Sequence, residues 1–217
     1  MFKNIKTIFF DYDGTLHNSI KIYAPAFRKA YRYLVDNEFT QERKWTDDEI
    51  SYWLGFSSKD MWKEFMPDLD EDIRNRASKI IGEEMLNQLS DDKAELYDGA
   101  IEVLQYLKEK KYKLVFVSNC GIYYRDMARK LFDLDNYFEE MACSEEYEYI
   151  PKYEIVKKIK ENYPSEMVII GDRIQDIECG IRNKINTIAC NFGYGSKEEL
   201  SSADYEISNI AELMEIL

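Results

Sequence analysis

Ile5-Lys6-Thr7-Ile8-Phe9-Phe10-Asp11-Tyr12-Asp13-Gly14-Thr15-Leu16 is the stretch that decides the fold. Residues 5–10 are apolar, β-branched and aromatic, which predicts a short strand buried on both faces. The apolar run stops at Asp11, and Gly14 marks a turn. The run is too short for a signal peptide or a membrane span.

The same pattern recurs downstream. Residues 113–117 (Lys-Leu-Val-Phe-Val) end at Ser118, and residues 167–170 (Met-Val-Ile-Ile) end at Gly171-Asp172. Shorter strands are predicted at 141–143, 186–190 and 205–207. Helical patterns lie between them: one opens at Asp98-Gly99-Ala100 and carries Ile101, Leu104 and Leu107, and others cover residues 122–132 and 153–161. Strands alternating with helices imply an α/β fold, a Rossmann-like parallel sheet covered on both faces. Residues 18–91 break the alternation. They contain no strong strand and read as helices near 20–37, 57–65 and 71–89. Thr46 and Glu49 form the signature of a capping box. This segment is too large for a crossover. The expected division is therefore a catalytic core of residues 1–17 and 92–217 and an inserted helical domain of residues 18–91.

Composition narrows the function. Acidic residues outnumber basic ones by 42 to 29, a net charge of −13, so nucleic acid and anionic membrane are poor partners. A small anionic substrate remains compatible, because a bound cation reverses the local field. Cys120, Cys143, Cys179 and Cys190 form no C-x-x-C pair and the chain has one histidine, which argues against structural zinc. Reduced thiols and a cytoplasmic location are expected. The plain expectation for assembly is a monomer, or failing that a homodimer.

The chemistry collects at strand ends. Asp11 and Asp13 follow the first strand, Ser118 and Asn119 the second, Asp172 and Asp176 the fourth. Open parallel sheets bind ligands at that edge. Carboxylates gathered there repel one another until a hard cation joins them, and magnesium prefers oxygen ligands. Asp11, Asp13 and Asp172 therefore suggest a magnesium site with room for a phosphate. Ser118 offers a hydroxyl, Asn119-Cys120-Gly121 opens a helix whose N–H groups favour an anion, and Lys152 adds positive charge. Phosphoryl transfer needs such a set, and a carboxylate can be its nucleophile.

Four motifs in order carry a family resemblance. Asp11-Tyr12-Asp13-Gly14-Thr15-Leu16 resembles D-x-D-G-T-L. Val117-Ser118-Asn119 resembles an apolar strand ending in Ser or Thr, and Lys152 resembles a lone lysine motif. Gly171-Asp172-Arg173-Ile174-Gln175-Asp176 resembles G-D-x-x-x-D. Over nearly its whole length the chain resembles a haloacid dehalogenase-superfamily phosphatase of the phosphoglycolate phosphatase type, and Phe192-Gly193-Tyr194-Gly195-Ser196 is also like that branch. The resemblance implies that Asp11 attacks phosphorus and holds magnesium. Asp13 would protonate the leaving oxygen, then activate water, and bind the metal through its backbone carbonyl. Asp172 would be a further metal ligand, with Asp176 behind it. Ser118, Asn119 and Lys152 would hold the phosphate. The insert would be a helical cap that closes over the site and selects a small phosphorylated metabolite.

The chain departs from the pattern in three places. Pro151 precedes Lys152, where proline usually follows the lysine. His17-Asn18-Ser19 stands where an apolar residue and then Asp-Ser are common. Tyr23 stands where the related β-phosphoglucomutases carry histidine, which disfavours a mutase. A pyrophosphatase, or a non-catalytic phosphate or magnesium sensor on the same scaffold, competes with the phosphatase reading, and Asp13 disfavours a dehalogenase. His17 is read as a packing residue beside the site and Cys120 as a small loop residue. Lys59 is a candidate contact for an anionic substrate group. Tyr52, Trp53, Phe56, Trp62 and Phe65 are read as core of the insert.

Overall fold

The structure is a computed structural model, and it describes residues 2, 4–91 and 93–217. The chain divides into two compact units, Met1–Asn18 with Leu96–Leu217, and Ser19–Glu95. Residue 92, where the sequence sets the return to the core, lies outside the described residues.

In chain order the elements are β1 (Thr7–Phe10), α1 (Ile20–Asp36), α2 (Asp47–Ser51), α3 (Ser58–Phe65), α4 (Glu71–Ser90), α5 (Ala100–Glu109), β2 (Lys113–Ser118), α6 (Ile122–Leu131), β3 (Glu140–Cys143), α7 (Lys152–Ile159), β4 (Met167–Gly171), α8 (Ile174–Asn183), β5 (Asn186–Cys190), α9 (Lys197–Leu200), β6 (Tyr205–Ile207) and α10 (Leu213–Ile216). The six strands form one sheet in the order β3-β2-β1-β4-β5-β6, and every pairing is parallel. This is the Rossmann-like α/β fold that the alternation predicts.

Side chains alternate across the sheet, and both faces are dry. Ile8, Phe10, Leu114, Phe116, Val168 and Ile170 face one layer with Val103, Leu104 and Leu107 of α5 and Leu213 of α10. Phe9, Val115, Val117 and Ile169 face the other with Ile155, Val156 and Ile159 of α7 and Cys179 of α8. Burial on both faces explains why the central strands read as unbroken apolar runs.

Strand order places the site. β1 lies between β2 and β4, where the chain switches the side on which it adds strands, and such a switch point opens a crevice at the carboxyl ends. Phe10 is in register with Phe116 and with Ile170. The Asp11 N–H donates to the Ile170 carbonyl at 2.9 Å, so the ladder holds the backbone of Asp11.

The helical unit builds its own aromatic core. Phe65 lies 5.3 Å from Phe27, 5.5 Å from Trp45 and 5.3 Å from Trp53 between ring centroids. The predicted capping box is present at α2: the Glu49 N–H donates to Thr46 Oγ1 at 3.2 Å, and the Thr46 N–H donates to Glu49 Oε2 at 2.9 Å.

Candidate active site

Asp11, Asp172 and Asp176 come together beyond β1 and β4. One carboxylate oxygen from each lies within 4.8 Å of the others, the one such acidic or metal-ligating cluster among the described residues. All three are buried. Lys152, also buried, bridges two of them, its Nζ donating at 2.7 Å to Asp11 Oδ1 and at 2.7 Å to Asp176 Oδ1. Lys152 is the first residue of α7, directly after Pro151 at the N-cap. Proline suits a helix start, where a missing N–H costs nothing, so the reversed order of proline and lysine still delivers the ammonium to the cluster.

The second oxygen of Asp176 accepts from the Arg173 N–H at 3.1 Å, which ties it to the first turn of α8. Asp172 accepts from the Tyr194 N–H at 2.7 Å and from Thr15 Oγ1 at 3.3 Å. Glycines let the backbone approach this closely. At Gly14, φ is +87° and a Cβ would fall 2.2 Å from Asp172 Oδ2; at Gly193 a Cβ would fall 2.2 Å from the Asp172 Cβ. The loop after β5 thus closes on Asp172 through glycine and a backbone donor.

The electrostatics follow from burial. Burial first, then Asp176, push the Asp11 carboxyl up to about 7, against the pull of Lys152. Burial, Asp11 and Asp176 hold Asp172 well above the usual carboxylate range. Burial works to lower the Lys152 ammonium, but Asp11 and Asp176 overcome it and hold it above the usual lysine range. Carboxylates that resist ionisation beside one lysine are a site short of positive charge. The donors are all hard oxygens, with no imidazole or thiolate among them, so they fit magnesium or a similar hard cation.

A haloacid dehalogenase-like hydrolase family model matches residues 8–190. The chain belongs to that family. Among curated relatives, the pyrophosphatase PpaX of Bacillus mycoides is 25% identical, with 98% of this chain and 97% of that protein covered. The fold is shared with a predicted phosphatase from Clostridium acetobutylicum (TM-score 0.83, 22% identity, 98% of each chain). It is shared also with a predicted phosphoglycolate phosphatase from Haemophilus somnus (TM-score 0.79, 21% identity, 98% of this chain and 97% of that one).

In this haloacid dehalogenase-like hydrolase the remaining sequence-predicted residues occupy the same sheet edge. Ser118 ends β2 and is buried, and Asn119 follows it. The carboxylate of Asp13 stands outside the trio of Asp11, Asp172 and Asp176. Its Oδ1 lies 2.8 Å from Tyr124 Oη and 3.1 Å from His17 Nδ1. Sequence reasoning misses Tyr124 altogether. At the N-terminus of α6, Glu145 Oε2 accepts from the Ile122 N–H at 2.6 Å. A helix N-terminus attracts a negative charge, and here the chain supplies its own. Asp176, placed behind the metal ligands by the resemblance, lies beside Asp11 and Asp172 with its two oxygens engaged by Lys152 and the Arg173 N–H. A hydrogen bond with Cys143, burial and nearby Asp13 hold the Cys120 thiol well above its usual range. Lys59 is exposed within the helical unit.

Proposed function

We propose that this hydrolase is a magnesium-dependent phosphatase that moves the phosphoryl group of a small phosphorylated metabolite first to Asp11 and then to water. The observation that carries this reading is the Asp11–Lys152–Asp176 bridge beside Asp172, a buried nucleophile already oriented by an ammonium. Asp11 and Asp172 would hold magnesium by their carboxylates and Asp13 by its backbone carbonyl. Asp176, with both oxygens engaged by Lys152 and the Arg173 N–H, would keep Lys152 in place. When bound, magnesium supplies the positive charge that lets an anionic carboxylate approach an anionic phosphate.

Asp11 attacks phosphorus in line with the leaving oxygen, which gives an aspartyl-phosphate. Asp13 gives that oxygen a proton, then takes one from the water that splits the aspartyl-phosphate. The Ser118 hydroxyl, the Asn119 amide and the Lys152 ammonium donate to the phosphate oxygens and hold them through the change at phosphorus. The four free cysteines suit a reducing cytoplasm. Among the described residues, no helix is long and apolar enough to cross a membrane. The test is phosphate release from p-nitrophenyl phosphate with magnesium. Activity that survives both EDTA and Asp11→Asn rejects the reading.

Phosphoglycolate-like esters are the first substrate class. Pyrophosphate is a second reading, favoured by the full-length match to the pyrophosphatase PpaX. Comparing kcat/KM for pyrophosphate with that for phosphoglycolate and sugar phosphates decides between them.

A further inference from the structure

We propose that Glu199 and Arg173 are positioning residues, through which the segment after β5 holds the turn of Asp172 and Asp176 in the shape that binds magnesium. The proposal rests on Asp172 being a metal ligand of the proposed phosphatase.

Arg173 is the pivot of that turn. Asp172 precedes it directly, and its backbone N–H donates to Asp176 Oδ2 at 3.1 Å. The other oxygen of Asp176 accepts from Lys152 at 2.7 Å, and Lys152 donates to Asp11 at 2.7 Å. A shift of Arg173 is therefore passed to Asp172 through the chain and to Asp11 through hydrogen bonds. The Arg173 side chain is 2% exposed. A buried cation is costly unless a counter-charge meets it. Glu199 supplies one, its Oε1 accepting from Arg173 Nη2 at 3.2 Å.

Glu199 is itself built into place. Its second oxygen, Oε2, accepts from the Ser196 N–H at 2.7 Å, and its own N–H donates to Ser196 Oγ at 3.2 Å, a capping box at the start of α9. Leu200, the last residue of α9, is buried with Ile177 of α8 and Ala189 of β5. The helix is thus seated on the sheet and on the helix that Arg173 opens. The same segment delivers the Tyr194 N–H to Asp172 Oδ2 at 2.7 Å. It grips the turn twice, at the Asp172 carboxylate and at the Arg173 guanidinium.

The consequence is a division of labour. Asp11 is held by the ladder of the central strands, whereas Asp172 lies beyond β4 in a turn. Magnesium demands a near-ideal octahedron and tolerates little misplacement of its oxygen ligands. Groups that fix a ligand from behind therefore govern metal affinity, typically by about 10–100-fold. Glu199 does this with one carboxylate that serves two donors at once. Neither Glu199 nor Arg173 needs to touch the metal or the phosphate for this role.

The test is magnesium binding to the full chain, read by titration calorimetry at a temperature where every variant is folded, beside Tm in EDTA. Glu199→Gln keeps the size of the side chain, but an amide has one accepting oxygen and cannot serve both the Ser196 N–H and Arg173. Its magnesium affinity should fall by about tenfold or more. Arg173→Lys keeps the charge without the planar fork and gives an independent reading, with a loss of about the same size. Ser196→Ala removes the Oγ cap and leaves the Arg173–Glu199 pair; it should lower Tm in EDTA and keep magnesium affinity within about threefold of wild type. Wild-type affinity in either Glu199→Gln or Arg173→Lys, or an equal loss in Ser196→Ala, would overturn the proposal. Asp172→Asn separates this from the underlying reading. If Asp172→Asn binds magnesium as tightly as wild type, Asp172 is not a ligand and the reading beneath the proposal fails. If Asp172→Asn abolishes binding while Glu199→Gln matches wild type, only the positioning proposal fails.

Discussion

Replacing Asp11 by Asn should stabilise the metal-free protein at pH 8 and leave it unchanged near pH 4. Asp11 titrates at about 7 in the folded protein, against 3.8 for an ordinary aspartate. Its folded pKa is the higher one, so between those values the folded state holds more protons than the unfolded state. Stability then falls as pH rises through that window. The penalty is absent below the unfolded value and complete above the folded one. About three pH units at about 1.4 kcal/mol each put its ceiling near 4 kcal/mol. Asp11 is only 4% exposed, so solvent screens little of this. Asparagine has the shape of the protonated acid and no charge to lose. Urea unfolding of both proteins in EDTA, from pH 4 to 8, reads the effect, because groups outside the cluster titrate alike in the two and cancel, while Asp172, relieved of the Asp11 charge, moves the difference in the same direction. The stability of Asp11→Asn relative to wild type should grow by a few kcal/mol across the series. Magnesium should reverse the order at pH 8, since it stabilises only the protein that binds it. A difference that stays flat with pH, or an Asp11→Asn protein that is less stable at pH 8 without metal, would refute the reasoning.

Gly193→Ala places a Cβ 2.2 Å from the Asp172 Cβ, so the loop after β5 must move; overpacking of this kind costs about 1–3 kcal/mol, and thermal melts should show that loss together with a smaller magnesium-induced shift than wild type. Thr46→Ala removes the capping box of α2 and should cost about 1 kcal/mol. Hydrogen exchange should show that loss in the helical unit and leave the amides of β1 and β4 protected as in wild type.

Legibility in the sequence follows the physics of each element. The central strands are buried on both faces, so their composition announces them, and the polar residues that end them mark the site. Thr46 and Glu49 are legible because a capping box is local. Strand order is not, because it depends on contacts between segments distant in sequence. Tyr124 is hidden for a related reason. Tyr123 and Tyr124 are adjacent in α6, and nothing local says which turns inward; Tyr123 is 63% exposed while Tyr124 reaches Asp13. Glu145 gives no signal either, since the helix it caps begins more than twenty residues earlier. His17 stands out as the lone histidine, yet its partners become visible only once α6 is in place.

The Lys152 bridge carries a consequence for the order in which ligands arrive. Ionising all three carboxylates beside one ammonium would leave the cluster with a surplus of two negative charges, the state that burial and mutual repulsion resist. A phosphate dianion approaching that surplus is repelled. A sodium or potassium ion cancels half of it, whereas one divalent cation cancels it all. On the proposed magnesium-dependent reaction, the buried charges would act as a gate in time, admitting the cation first and the phosphate only behind it.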